Sequence, residues 1–166
     1  MENKLLNISQ VKQAIGWAYS DFKWLTKKEG VRVNRERDQL LKALSGKVHF
    51  RWSDSKIYTG TLSPGCITCG EGTWSCMFIN GLCTAHCFFC PQDRKMKKEH
   101  LPSTEDGIIF TKPRDYVNFL EKFGFKGVGF SGGEPLLIFE KLLAFIKQIR
   151  LHFKDEMYLW IYTNGD

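Results

Sequence analysis

Three cysteines of this chain lie close together in the sequence. Cys83, Cys87 and Cys90 follow the spacing C-x3-C-x2-C in the run CTAHCFFC. Cysteine thiolates are the usual ligands of iron–sulfur clusters, and a closed four-iron site uses four of them. A compact loop that offers three thiolates therefore predicts a 4Fe-4S cluster in which one iron stays open to a small molecule.

Three other uses of cysteine compete with this interpretation. A zinc ribbon pairs two C-x2-C or C-x4-C knuckles, whereas Cys66-x2-Cys69 is the only such knuckle outside the loop. A bacterial ferredoxin run also ends in Cys-Pro, as Cys90-Pro91 does, but its gaps come in another order and it has a fourth cysteine. Disulfides are typical of secreted chains, and the start MENKLLNISQ is too polar for a signal peptide. The iron–sulfur interpretation is favoured.

A second motif completes a resemblance to a known family. The run Ser131-Gly132-Gly133-Glu134-Pro135 comes after the cysteine loop, in which the aromatic Phe89 precedes the last cysteine. Together these motifs resemble the radical S-adenosylmethionine (radical SAM) enzymes, over residues 77 to 165. The resemblance implies that SAM chelates the open iron of a cluster held by the three loop cysteines. It also implies reductive cleavage of SAM to a 5′-deoxyadenosyl radical that abstracts hydrogen from a substrate.

The resemblance further implies which residues meet the cofactor. Phe89 is expected to cover the adenine, and Gly132 and Gly133 to let the main chain approach the methionine end, because they have no Cβ. Glu134 is expected to hold either its own loop or the ammonium group. No catalytic side chain is predicted, since the cofactor carries the difficult step.

The partners are less determined than the cofactors. An electron donor such as flavodoxin or ferredoxin is implied by the resemblance, while peptide, RNA and small metabolite all remain open as substrates. The alternative function is a non-catalytic iron–sulfur or zinc-binding module that serves in electron transfer.

A second group of cysteines lies upstream of the loop. Cys66, Cys69 and Cys76 follow the spacing C-x2-C-x6-C in a glycine-rich stretch. Thiols at such spacing predict a second iron–sulfur cluster or a zinc site, and the alternative is three reduced, buried thiols. No fourth ligand is evident. Cys76 also falls within a predicted strand, where alternation can turn its side chain to the core.

The elements that must position these motifs alternate from Trp74 onward. Strands are predicted at residues 74–80, 128–130 and 157–163, separated by helices at 111–123 and 135–153. This order favours βαβ units in a parallel sheet, with ligands at the carboxyl ends of the strands. The cysteine loop, the Gly132-Gly133 motif and Thr163-Asn164-Gly165 each follow such an end. The predicted fold is α/β: residues 66–166 form the first three βα units of a partial (β/α) barrel of the radical SAM type.

Residues 1–65 are predicted to form a basic N-terminal extension. They carry 12 Lys and Arg against 6 Asp and Glu, whereas residues 66–166 carry 12 of each. Spacing predicts a helix from Ser9 to Gly30, a second helix that Asn34 caps and Gly46 ends, and a β-hairpin that turns at residues 53–55. One helical face is basic and includes Trp17, Trp24 and Arg35. A face of this kind can bind nucleic acid or an acidic peptide, but it is more often solvated, so a nucleic-acid partner stays open without support.

Composition is that of a globular enzyme. Hydrophobic residues make up 43% and charged residues 25% of the chain, close to globular averages. No apolar run reaches the roughly 18 residues that a membrane span requires. The sequence therefore predicts a soluble, cytoplasmic protein without a membrane partner.

Overall fold

The computed structural model describes residues 23–87, 89–90, 92 and 98–165. These residues form four α-helices and seven β-strands in a mixed α/β arrangement. Contacts within the chain divide it into two compact units, Met1–His49 and Phe50–Asp166. No helix in the described ranges combines the length and the apolar character that crossing a membrane requires.

Helix α1 (Lys27–Ala43) begins where a capping box starts it. The Thr26 hydroxyl accepts a hydrogen bond from the Glu29 amide, and the Glu29 carboxylate accepts one from the Thr26 amide. This reciprocal pair satisfies donors that the first helical turn leaves open. The helix boundaries predicted at Gly30 and Asn34 were therefore wrong, because both residues lie inside α1. Residues 9–22 of the predicted first helix lie outside the described part of the chain.

The predicted hairpin is present as strands β1 (His49–Arg51) and β2 (Lys56–Tyr58). Its turn includes three consecutive residues with positive φ, at 51°, 52° and 61°, namely Trp52, Ser53 and Asp54. A short helix α2 (Pro64–Gly70) follows and is capped by Ser63, whose hydroxyl accepts from the Cys66 amide at 3.2 Å. The stretch that carries Cys66 and Cys69 is thus helical.

The main sheet has five strands, which include β4 (Ser103–Glu105) and β5 (Ile108–Phe110) at one side, in the order β5-β4-β3-β6-β7. Its parallel part consists of β3 (Trp74–Phe78), β6 (Gly127–Ser131) and β7 (Tyr158–Ile161), with Phe78 opposite Ser131 and Phe130 opposite Ile161. These are the three predicted strands, with ends that differ by at most two residues from the prediction. The α/β class is confirmed, whereas closure into a partial barrel stays a prediction.

An antiparallel hairpin at one edge makes the sheet mixed. Strands β4 (Ser103–Glu105) and β5 (Ile108–Phe110) pair with each other, and β4 pairs antiparallel with β3. The parallel pairing of the three predicted strands is confirmed, whereas this antiparallel hairpin was not predicted. The turn is Asp106-Gly107, with φ of 48° and 80°, which is the favoured sequence for a two-residue hairpin connection.

Helices α3 (Pro113–Phe123) and α4 (Phe139–Phe153) pack on one face of the sheet. Helix α3 ends at Gly124, whose φ of 66° suits the left-handed cap, and α4 is preceded by a 3-10 turn at Pro135–Ile138. Twelve hydrophobic residues are buried between these layers: Met77, Ile79, Phe110, Tyr116, Val117, Leu120, Val128, Phe130, Leu142, Phe145, Ile149 and Met157. The core thus lies on the helical face and holds the parallel strands in register.

Candidate functional site

The three predicted motifs meet at the edge of the sheet formed by the carboxyl ends of its parallel strands. Strands β3, β6 and β7 run parallel, so the loops that follow them leave from the same edge. The Ile79 amide donates to the Ser131 carbonyl at 2.8 Å, and the Tyr162 amide donates to the Phe130 carbonyl at 2.9 Å. These bonds extend the pairing to the start of each loop. The cysteine loop, the Gly132-Gly133 motif and Thr163-Asn164 are therefore neighbours.

Gly132 and Gly133 pack directly against the base of the cysteine loop. A Cβ on Gly132, whose φ is +123°, would lie 2.6 Å from the Asn80 carbonyl oxygen, and a Cβ on Gly133 would collide with the Leu82 carbonyl. Two backbone bonds cross the contact: Gly133 amide to Asn80 carbonyl at 2.6 Å, and Glu134 amide to Leu82 carbonyl at 2.5 Å. The close approach that requires glycine is thus to the protein's own loop.

Glu134 is almost completely buried, with 1% of its surface exposed. Its carboxylate accepts hydrogen bonds from the Leu136 amide at 2.9 Å, the Thr163 hydroxyl at 2.9 Å and the Asn164 amide at 2.7 Å. The Asn164 side-chain amide in turn donates to the Thr84 hydroxyl at 3.0 Å. Glu134 therefore orders the third loop, and this loop contacts the cysteine loop.

The three loop cysteines are free thiols. Cys83 and Cys90 are half-buried and Cys87 is exposed, and the Cys90 amide donates to the Cys87 carbonyl at 3.3 Å. Within the described residues, no three His, Cys, Asp or Glu side chains already converge as a metal site. The donor set itself fits an iron–sulfur cluster, because it consists of three thiols on one short loop without a disulfide. Phe89, expected to cover an adenine, is 71% exposed.

The upstream cysteines lie on two elements. Cys66 and Cys69 are on α2, where they line a cavity of about 460 Å³ together with aromatic side chains that include Trp52, Tyr158 and Trp160. Cys76 is on β3, and burial, the Glu105 carboxylate and Cys69 together raise the pKa of its thiol. The structure thus brings Cys69 within electrostatic range of Cys76, without a converged set of three donors in the described ranges.

A buried polar network joins the edge hairpin to the sheet. The Ser75 hydroxyl donates to the Glu105 carboxylate and shares a hydrogen bond with the Tyr116 hydroxyl, and the Cys76 amide donates to Glu105 at 3.0 Å. Burial raises the pKa of Glu105, and burial together with the Glu105 charge raises that of Tyr116. The carboxylate thereby satisfies a backbone donor of β3.

Two residues that bear on the site were missed from the sequence. Asn80 is 1% exposed and is the second residue after β3. Lys141 on α4 donates to the Ile79 and Leu101 carbonyls. Lys141 interrupts the apolar stripe of its helix, since it lies three residues after Ile138 and four before Phe145. A charge at a core-facing helical position was the signal that could have identified it.

Comparison with known proteins agrees with the cysteine loop. Residues 68–165 match the family model described as a 4Fe-4S single cluster domain. A protein of Methanocaldococcus jannaschii, provisionally named a glycyl-radical enzyme activating enzyme, is 31% identical over 105 residues. The alignment covers 63% of this chain and 28% of that relative, so the chain spans less than a third of its length. No solved structure matches the chain. The chain therefore belongs to the 4Fe-4S single cluster domain family of radical SAM proteins.

Proposed function

We propose that this chain binds a 4Fe-4S cluster through Cys83, Cys87 and Cys90 and cleaves SAM at it. The observation that carries the proposal is the position of three free thiols on one loop at the carboxyl edge of the parallel strands. Ligand sites of α/β folds lie at this edge, because the loops there converge. The family match over residues 68–165 supports the same chemistry.

The chain's own residues contribute order and shielding. Gly132 and Gly133 hold the β6 loop against the base of the cysteine loop, and Glu134 fixes Thr163-Asn164 beside Thr84. Backbone groups at Gly132-Gly133 and the Phe89 ring are the proposed contacts to SAM. A reduced cluster held by the three cysteines would supply one electron to SAM, whose C5′–S bond would then break to give methionine and a 5′-deoxyadenosyl radical. Such cofactor chemistry leaves binding, orientation and exclusion of water to the protein.

We propose a protein as the substrate. The M. jannaschii relative is provisionally named an activating enzyme of a glycyl-radical enzyme, and this name favours a protein substrate. By analogy, the radical formed here takes hydrogen from the Cα of a glycine in a partner enzyme. A reducing partner such as flavodoxin or ferredoxin and a cytoplasmic location belong to the same proposal.

The test is anaerobic. The full chain is reconstituted with iron and sulfide, reduced with dithionite and mixed with SAM, and 5′-deoxyadenosine is measured by chromatography. We expect about four irons per chain at this site and formation of 5′-deoxyadenosine. Changing Cys83, Cys87 or Cys90 to alanine should abolish both, because two thiolates do not retain the cluster. His86→Ala is the matched control, since this exposed side chain lies on the same loop.

Two results would contradict the proposal. Formation of 5′-deoxyadenosine by any of the three cysteine variants would remove the ligand assignment. A stable cluster in the parent chain that never cleaves SAM would instead favour the alternative, a non-catalytic iron–sulfur module.

A further inference from the structure

The cysteine loop leaves and re-enters the sheet through two strands that are barely paired. It departs after β3 and returns through Leu101 to β4, and the two strands share a single register pair, Phe78 opposite Thr104. Backbone pairing therefore contributes only one register pair at the base of the loop. Side chains from three parts of the chain add further hydrogen bonds there.

Lys141 bridges both ends of the loop. Its ammonium donates to the Ile79 carbonyl at 2.9 Å and to the Leu101 carbonyl at 3.2 Å. The side chain reaches this position from α4, and its partial burial lowers the pKa of the amine. No carboxylate forms an ion pair with it in the described ranges. A lysine that is partly desolvated without a counter-charge costs stability. The two hydrogen bonds to carbonyl groups offset part of that cost.

Asn80 also bridges the two ends, and it lies at the departing end itself. Its side-chain carbonyl accepts from the Gly81 amide at 2.7 Å and from the Leu101 amide at 2.9 Å. Its backbone carbonyl accepts from the Gly133 amide. The side-chain nitrogen of Asn80 is buried and has no hydrogen-bond partner among the residues that the structure describes. An unsatisfied buried donor is costly. The two hydrogen bonds that the Asn80 side-chain oxygen accepts from the departing and returning ends offset part of that cost.

Ser103 adds a third bond, from its hydroxyl to the Ile79 carbonyl at 3.2 Å. Four hydrogen bonds from three side chains thus join positions 79–80 to positions 101–103, two of them directly and two through Lys141. Three thiolates bind one cluster only if the loop that carries them holds a defined shape. The spacing of the loop ends limits that shape.

We propose that Lys141 and Asn80 are positioning residues that hold the base of the cysteine loop so that its three thiolates converge on the cluster. The inference rests on the proposed function, because the cluster is what the loop would position. It also predicts the thiol reactivity of the metal-free loop, so it can be tested separately from the proposed function.

The first measurement uses the metal-free full chain. The rates at which iodoacetamide alkylates Cys83 and Cys90 are followed by peptide mass spectrometry, in the parent and in Lys141→Met and Asn80→Leu. We expect both half-buried thiols to react at least about fivefold faster in the variants, since each variant loses two hydrogen bonds and one lost bond alone corresponds to about that factor. Lys141→Arg and Asn80→Asp keep a donor and an acceptor respectively, and each should return the rates toward the parent. Lys147→Met, an exposed lysine change on the same helix, should leave them unchanged.

The second measurement uses the reconstituted chain. Iron per chain and the electron paramagnetic resonance spectrum of the reduced cluster, with and without SAM, are compared across the same variants. We expect less iron and a smaller SAM-induced spectral change in Lys141→Met and Asn80→Leu, with recovery in the conservative variants. Circular dichroism confirms that each variant is folded, and a variant that does not fold is replaced by Lys141→Gln or Asn80→Ser.

The outcomes separate the inference from the proposed function. Parent-like alkylation rates in folded Lys141→Met and Asn80→Leu would overturn the inference, whatever the cluster does. Equal losses in Lys141→Met and Lys141→Arg would also overturn it for Lys141. If the parent chain binds no cluster, yet the variants show the roughly fivefold change in thiol reactivity, the proposed function is overturned. The inference that Lys141 and Asn80 hold the loop base then still stands.

Discussion

Gly133→Ala is expected to destabilise the second unit strongly, although it adds a single methyl group. The new Cβ would collide with the Leu82 carbonyl and would also lie 2.6 Å from the Gly81 carbonyl oxygen. Both neighbours are backbone atoms, so no side chain can turn aside. The β6 loop must therefore move away from the base of the cysteine loop.

The magnitude follows from the contacts that this movement breaks. The amides of Gly133 and Glu134 donate to the carbonyls of Asn80 and Leu82, and each net hydrogen bond contributes about 1 kcal/mol. Overpacking a close contact adds about 1 to 3 kcal/mol. We expect the free energy of unfolding to fall by about 3 to 5 kcal/mol, which is a large part of the stability of a typical domain.

Urea denaturation of the metal-free chain, under reducing anaerobic conditions, measures the effect. Gly72→Ala is the matched control, because Gly72 has a φ of +69° and nothing within 4 Å of its Cβ position. That variant should lose only the cost of a left-handed alanine, about 1 kcal/mol. If Gly133→Ala were no more destabilising than Gly72→Ala, the close approach of the two loops would not exist as described.

Three further changes test other parts of the structure. Changing Cys66, Cys69 and Cys76 together to alanine should remove zinc, or iron beyond one four-iron cluster, while the SAM-dependent spectral change at the loop persists; equal metal content in variant and parent would leave them as packing thiols. Glu134→Gln should lower the free energy of unfolding by about 1 to 3 kcal/mol, since an amide nitrogen then faces donors that the carboxylate accepted; Glu140→Gln, an exposed carboxylate on α4, is its control. Burial raises the pKa of the Glu105 carboxyl above its ordinary 4.5. Because the folded state therefore holds the carboxyl proton more tightly than the unfolded state, the free energy of unfolding of the parent should fall relative to that of Glu105→Gln as pH rises from 4.5 to the raised pKa. A difference in urea midpoint that stays constant from acid to neutral pH would contradict that linkage.

Local sequence determined the parts of this protein whose signals span a few residues. The spacing of Cys83, Cys87 and Cys90 indicates cluster chemistry without any fold, because the three donors lie within one loop. The three parallel strands were predicted because their apolar residues stand between helical patterns. The hairpin at Asp106-Gly107 also had its own turn signal, and it was overlooked because its strands are only three residues long.

Competing local signals were resolved only by contacts. Asn34 is a good helix cap in isolation, yet the reciprocal bonds of Thr26 and Glu29 start the helix eight residues earlier. Gly30 lies inside the same helix. One capping box satisfies two backbone donors at once, and this outweighs a later single cap.

The base of the cysteine loop was decided by tertiary structure. Gly132 and Gly133 read as glycines that admit a ligand, but the atoms they approach belong to residues 79–82, about fifty positions earlier in the chain. Lys141 bonds carbonyls that lie 62 and 40 residues away from it. The helical position of Lys141 left a signal in the sequence, but partners at separations of this size left none. The sequence alone therefore predicted which atoms bind a cluster, whereas the packed sheet and helix α4 determined which contacts lie at the base of the loop that carries them.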